Sequence, residues 1–423
     1  MKNDNSYMAS GFSSLGIAPA LLDILARLRL TIPTPIQNQA IPIAIQGKDV
    51  VGIAQTGTGK TLAFGIPMIQ RLAQAKGRGL VILPTRELAL QVDEALRRVG
   101  QSIGVKTAVL IGGAPIRPQT QALQKNPHIV VATPGRLIDH LNQRTIKLDT
   151  VRIVVLDEAD RMLDMGFAPQ IQKILNALPR ERQTMLFSAT MPPEIMKMAT
   201  QYMKLPIRVE IAPTGTPPER VTQEIFIIQK NEKNRLLDKL LGQYTGTTLI
   251  FTKTKYTAKR LVRAVRIMGH SAAELHSNRS LSQRRDALQG FKMGRYRVLV
   301  ATDIASRGID VVGIGLIINY DLPTTSEDYV HRIGRTARAG AGGHAISFVA
   351  PTERNAVRGI ERLIRKTLPI SKLPELPPER PRPKFESQYD SRQRVWPKRI
   401  FPPRYEPRRS RPNAPRHHRP FQR

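Results

Sequence analysis

The sequence predicts an α/β chain made of two tandem doubly wound parallel-sheet domains with a disordered basic C-terminal tail. Three observations carry this reading. Short apolar runs alternate with helical patterns, the signature of a parallel sheet covered on both faces. The alternation lapses once, at LPIRVEIAPTGTPPER over 205–220, and then restarts. After Pro369 it stops, and proline and arginine dominate.

Residues 1–48 read as helix and loop. Leu21, Leu22, Leu25, Leu28 and Leu30 fall mostly on one helical face, and Pro33 and Pro35 stop it. Strands are expected at 49–54, 80–83, 107–111, 129–132, 151–156 and 184–187. In RELALQVDEALRRV, Leu88, Val92, Ala95, Leu96 and Val99 recur at helical spacing. Clustered proline and glycine then mark a linker at 208–219. A second set of strands is expected at 224–229, 247–252, 271–275, 297–301, 315–320 and 344–349. The expected domains are therefore 1–207 and 220–370, with the tail at 371–423.

Composition narrows the partners. The chain has 423 residues, 41% of them hydrophobic, so large cores can form. Its formal net charge of +33 implies a polyanionic partner. No apolar run approaches the roughly 18 residues of a membrane span. The opening MKNDNSYMASGFSS lacks the pattern of a secretory signal. A soluble, cytoplasmic chain that binds nucleic acid and not membrane is the expectation. The absence of cysteine excludes disulfides, thiolate zinc sites and cysteine nucleophiles. Residues 371–423 hold 15 Lys and Arg against 5 Asp and Glu, a net of +10, so +23 remains in residues 1–370.

Two stretches carry chemistry. VRIVVLDEAD (151–160) is a buried-strand pattern ending in adjacent carboxylates, Asp157 and Glu158. Ligands of open parallel sheets collect at the carboxyl ends of strands. One carboxylate there can hold Mg²⁺ and its neighbour can orient water. AQTGTGKT follows a strand and precedes a helix: Ala54, Gln55, Thr56, Gly57, Thr58, Gly59, Lys60 and Thr61. It fits the phosphate-binding loop apart from Ala54, where the pattern has glycine. Backbone N–H groups and the helix N-terminus would hold phosphates. Lys60 would contact the β and γ phosphates and Thr61 the Mg²⁺. Together the two stretches point to nucleoside triphosphate hydrolysis.

Further strings say what the hydrolysis serves. TPIQNQAIP (34–42), PTRELA (84–89), TPGR (133–136), DEAD (157–160), SAT (188–190), ATDIASRGID (301–310) and HRIGRTARAG (331–340) occur in that order. This set resembles the DEAD-box RNA helicase family over residues 12–350 or so. RTARAG with a basic tail resembles its bacterial RhlE-like branch. The resemblance implies two RecA-like domains, a nucleotide-reading segment at 10–42, and ATP as the nucleotide. It implies that Gln37 reads the adenine edge and Phe12 stacks on its face. Asp157 would hold Mg²⁺ and Glu158 position the water. Asp160, Ser188, Thr190 and His331 would couple hydrolysis to domain movement. Arg335 and Arg338, three apart and so on one helical face, resemble arginine fingers. Asp310 would contact the ribose and Gly308 keep the backbone close. RNA contacts are implied for Pro84, Thr85, Arg86, Gly112, Gly113, Thr133, Gly135 and Arg136. In the second domain they are implied for Thr252, Arg284, Thr302 and Asp303. Two positions depart from the family: Ser277 replaces its usual glycine, and Leu281 its usual glutamine, with loss of a polar contact.

The expected activity is ATP-dependent unwinding of short RNA duplexes, or remodelling of RNA–protein complexes, by closure of two domains on ATP and RNA. The alternatives are a DNA translocase, an ATP-dependent RNA clamp and an RNA chaperone. Ribosome-assembly and RNA-decay proteins are the implied partners beside structured or duplex RNA. In the tail, Phe385, Tyr389, Trp396, Phe401 and Tyr405 could stack on unpaired bases.

Overall fold

The computed structural model describes residues 11–55, 57–211, 221–306, 311, 313–336 and 342–378. In the first sheet, the strands are β1 Val50–Ile53, β2 Arg78–Ile82, β3 Thr107–Leu110, β4 Ile129–Ala132, β5 Val151–Leu156, β6 Gln183–Ser188 and β7 Ile207–Glu210. Its helices are α1 Pro19–Arg27, α2 Pro35–Ile45, α3 Lys60–Gln74, α4 Arg86–Gly100, α5 Ile116–Gln124, α6 Pro134–Asn142, α7 Ala159–Asp164, α8 Ala168–Asn176 and α9 Pro193–Tyr202. The strand order is β3-β4-β2-β5-β6-β1-β7, and every pairing is parallel.

The second sheet holds β8 Val221–Ile227, β9 Thr248–Thr252, β10 Ala272–Leu275, β11 Val298–Thr302, β12 Leu316–Asn319 and β13 Gly343–Val349. Its helices are α10 Lys233–Gln243, α11 Lys255–Ile267, α12 Leu281–Lys292, α13 Asp303–Ser306, α14 Ser326–Ile333 and α15 Arg354–Ile364. The order is β10-β11-β9-β12-β13-β8, again parallel throughout.

Two apolar clusters flank each sheet, one per face. That is why β1, β4, β9 and β12 are buried at every position and rich in Val, Ile and Leu. The expected strands all form, with ends shifted by up to three residues. No helix among the described residues is long and apolar enough to cross a membrane.

Two boundaries need correction. Residues 208–210, read as the start of the linker, belong to β7, which pairs with β1. This edge strand buries only Val209, so it shows no run of apolar residues. The basic tail, placed from residue 371, has a packed beginning. Ile370 bridges Ile225, the Ser371 N–H donates to the Ile225 carbonyl at 2.9 Å, and Leu373 and Leu376 pack against the α10–α11 cluster. Arg235 donates to the Leu376 and Pro377 carbonyls at 3.2 and 2.7 Å. The rest of the linker reading, 212–219, and of the tail, 379–423, lies outside the described residues.

Candidate active site

The phosphate loop joins β1 to α3. Gly57 and Gly59 have φ of +85° and +92°, which L side chains rarely adopt. A Cβ on Gly59 would also meet the Gln37 amide nitrogen at 2.4 Å. Gln37 is buried, accepts from the Thr34 N–H at 2.9 Å and donates to the Gly59 carbonyl at 3.0 Å. The expected adenine reader thus holds the phosphate loop, with one amide N–H and one lone pair to spare. Thr58 donates to the Gln55 carbonyl at 2.7 Å, and the Ala54 N–H to the Ser188 carbonyl at 3.0 Å. The Lys60 ammonium donates back to the Ala54 carbonyl at 2.8 Å. Thr61 follows in the first turn of α3. Phe12 is packed into the first-sheet core, its ring nearly covered by the chain itself. Thr56 lies outside the described residues.

Asp157 and Glu158 follow β5, which lies beside β6, itself the neighbour of β1. Both carboxylates are buried. Burial pushes the Asp157 carboxyl up to about 6; Lys60 pulls it down, and Glu158 pushes it further up. The Glu158 N–H donates to Asp157 at 2.9 Å, but Glu158 Oε2 is buried with no hydrogen-bond partner. Glu158 sits at φ +53°, ψ +48°, a left-handed conformation uncommon outside glycine and asparagine. This non-glycine strain falls at the carboxylate assigned to the water.

Among the described residues, no cluster of three or more His, Cys, Asp or Glu is placed to hold a metal unaided. Mg²⁺ needs none, since it commonly uses one or two carboxylates with waters and substrate phosphates. Two adjacent buried carboxylates, one with an orphaned oxygen, suit that use.

Asp160 draws three residues of the next strand end together. Its Oδ2 accepts from the Ala189 and Thr190 N–H groups at 3.2 and 2.9 Å, and from the Thr190 hydroxyl at 2.8 Å. Its own N–H donates to Ser188 Oγ at 3.2 Å. Helix α7 and the end of β6 are therefore tied side by side.

The other half of the same strand edge gathers the first-domain RNA candidates. Pro84 and Thr85 follow β2, with Thr85 accepting from the Leu88 N–H at 3.3 Å to cap α4. Arg86 lies over Gly112 and Gly113; a Cβ on Gly113 would meet its guanidinium at 1.9 Å. Thr133 stands at the N-cap position of α6 with its hydroxyl donating to the Leu110 carbonyl at 3.4 Å, Gly135 is exposed, and Arg136 donates to the Ala114 carbonyl at 2.9 Å. Three separate strings thus meet where β3, β4 and β2 end side by side.

In the second domain several of the expected residues have partners within the chain. Thr252 ends β9 and its hydroxyl donates to the Thr254 carbonyl at 3.3 Å; Thr302 ends β11. Asp303, expected to face RNA, is held by Arg332 through paired bonds of 2.6 and 2.8 Å. Arg284, also expected to face RNA, is buried and pairs with Glu87 of the first domain at 2.9 Å. Burial outside water favours that neutralised pair over a free cation. Arg335 lies past α14, whose last residue is Ile333, so helical spacing does not place it. It is buried and lines a small cavity of about 10 Å³ with His331, Arg332, Asp328 and Arg161. Arg338, Gly308 and Asp310 lie outside the described residues. Leu281 packs against the first-domain core, so the lost polar contact is replaced by an apolar one. Ser277 is exposed.

Two residues escaped the sequence reading. Arg161, next after the DEAD string, is buried and pairs with Asp328 of α14. Arg332 also donates to Asn319 at 3.0 Å and sits 5.0 Å over the Phe251 ring. Both stand inside or beside quoted strings, and in so basic a chain nothing set them apart from other arginines.

Phosphate loop, paired carboxylates and a second parallel sheet joined by ion pairs define a two-domain nucleotide-driven ATPase of the RecA-like kind. Residues 34–198 match the DEAD/DEAH box helicase family, and 232–340 match the helicase conserved C-terminal domain. The DEAD-box ATP-dependent RNA helicase CshA of Bacillus subtilis is 42% identical over 372 residues, covering 87% of this chain and 75% of that protein. The ATP-dependent rRNA helicase RRP3 of Debaryomyces hansenii is 42% identical over 362 residues, covering 85% and 76%. Dbp5 of S. cerevisiae bound to RNA and ADP BeF3 aligns with a TM-score of 0.79 at 30% identity, over 86% of this chain and 95% of that one. The chain belongs to the DEAD-box family of ATP-dependent RNA helicases.

Proposed function

We propose that this ATP-dependent RNA helicase opens short duplexes locally, by closing its two domains over ATP·Mg²⁺ and one RNA strand. The observation that carries the reading is the run from Asp157 to Arg161. Within five consecutive residues it holds the buried carboxylate pair, the Asp160 tie to Ser188 and Thr190, and the Arg161 bond to the second domain.

In this reading Lys60, the loop N–H groups and Thr61 bind the triphosphate. Asp157 and Thr61 hold Mg²⁺, which when bound offsets phosphate charge and orients the γ-phosphate. Glu158 positions the attacking water through its unpartnered oxygen. Arg335 and Arg338 supply positive charge from the second domain, so hydrolysis waits for closure. Arg86, Arg136, Thr133 and the neighbouring glycines hold phosphates without reading bases. Closure favoured jointly by both ligands bends the bound strand and displaces its partner. We assign the chain to the RhlE-like branch and to the cytoplasm, on the RTARAG string, the basic tail and the cysteine-free composition. The names of the RRP3 and CshA relatives, an rRNA helicase and an RNA helicase, support RNA as the substrate; structured or duplex RNA, with ribosome-assembly or RNA-decay proteins as partners, is our extension of that reading.

Glu158→Gln tests the chemistry. It should keep ATP and RNA binding and lose RNA-stimulated hydrolysis by at least about 10²-fold. Normal turnover in that variant would remove Glu158 from the mechanism. Turnover with single-stranded RNA, duplex RNA and DNA, measured side by side, tests the substrate.

A further inference from the structure

The exposed face of α11 has no role in the site described above. Its apolar side, Ala258, Leu261, Val262 and Val265, is buried against the second sheet. Tyr256, Lys259, Arg260, Arg263 and Arg266 recur three and four residues apart on the opposite side, and all are exposed. From 253 to 273 the chain carries six Lys and Arg and no Asp or Glu. Like charges at this spacing destabilise a helix, and a merely solvated face would gain from mixed signs. Helix α4 shows the mixed arrangement, with Arg97 on Asp93 at 3.0 Å. On α11, Lys259, Arg260 and Arg263 have no carboxylate in ion-pair range among the described residues.

Position adds to charge. Helix α11 starts three residues after Thr252, at the strand-end edge that also carries Thr302. Its first turn bears Tyr256, 74% exposed, with the Lys255 ammonium 5.3 Å from the ring centroid and 3.1 Å from Asn278 Oδ1. From there the cations run along a 13-residue helix, about 20 Å at 1.5 Å per residue. An exposed aromatic beside a line of cations is the combination that binds a nucleic-acid strand without reading sequence.

We propose that this face of α11 is a second RNA surface, which takes the phosphate backbone of a strand or duplex flanking the segment held between the domains. Tyr256 stacks on a base near the rim, and Lys259, Arg260 and Arg263 neutralise phosphates beyond it. The proposal rests on the RNA-helicase reading and extends it to RNA outside the cleft.

The test compares two RNAs on the full chain: a short single strand just long enough to stimulate turnover, and the same strand with a duplex flank. In Lys259→Glu/Arg263→Glu the KM for flanked RNA should rise about tenfold. Its log–log salt slope should flatten by about 1.4 to 1.8, the loss of two phosphate contacts. KM for the short strand, kcat at saturation and the melting temperature should not change. Lys259→Gln/Arg263→Gln should fall between the two. An unchanged KM and salt slope on flanked RNA would overturn the proposal, as would equal loss on both RNAs, which would place the effect in the cleft. If no RNA stimulated the parent chain, the helicase reading itself would fall with it.

Discussion

At the scale of single residues, the site trades stability for readiness. Asp157 is buried beside another carboxylate, and its folded-state value of about 6 lies above the ordinary 3.8. A raised carboxyl binds its proton more tightly in the folded state than in the unfolded one. Its stability contribution is therefore greatest at low pH and is lost as pH rises from about 4 through about 6. Asp157→Asn removes this dependence while keeping an oxygen to accept from the Glu158 N–H. Without nucleotide, the variant should be more stable than the parent by roughly 2–3 kcal/mol at neutral pH, and the gap should close below about pH 4. Thermal melting across that range checks it; a gap independent of pH would mean that Asp157 is not held neutral-prone by burial. Glu158 adds to the same cost with its left-handed backbone.

At the scale of elements, the sequence was most legible where burial is two-sided. The strands that place Lys60, Asp157 and Ser188 read as apolar runs because helices cover both faces of the sheet. Edge pieces did not. β7 buries one residue of four, and the 369–378 strap is proline-rich, so neither repeats with a period. The strap nevertheless covers the β8 edge and the flank of α10. Ending the chain after Pro378 should leave the melting of the second domain unchanged. Ending it after Leu368 should lower that domain's stability by roughly 2–4 kcal/mol, because the packing of Leu373 and Leu376 on the α10–α11 cluster and the strap's backbone bonds are lost. Equal melting of the two truncations would show that the strap only rests on the surface. The site was legible as strings, most of which follow or span a strand end, while TPIQNQAIP opens α2 and HRIGRTARAG begins in α14. The partners of Arg161, Arg284 and Arg332 were not, because an ion pair between distant residues leaves no local period. The RNA roles expected for Asp303 and Arg284 came from the family resemblance, and their partners within the chain, Arg332 and Glu87, appear only in three dimensions.

At the scale of the whole molecule, the two sheets meet through Arg161–Asp328, Glu87–Arg284 and the apolar contact of Leu281. Arg161 stands one residue from Asp160, so the joint begins where the catalytic run ends. Arg161→Ala should leave nucleotide binding by the first domain intact and lower RNA-stimulated kcat about tenfold, roughly 1.4 kcal/mol. A charge swap, Arg161→Asp with Asp328→Arg, should recover part of the loss. Full activity in the single variant would mean that the pair accompanies closure without supporting it. Glu87 adds a consequence of its own. It stands beside Arg86, whose guanidinium lies over the strand-end glycines, and reaches the second domain through Arg284. In the proposed cycle one joint serves both ligands, and linkage makes its effect reciprocal: the factor by which ATP tightens RNA must equal the factor by which RNA tightens ATP. Spending the ATP releases both sides of that equality together, so an RNA strand cannot keep its tightened grip once the nucleotide has gone.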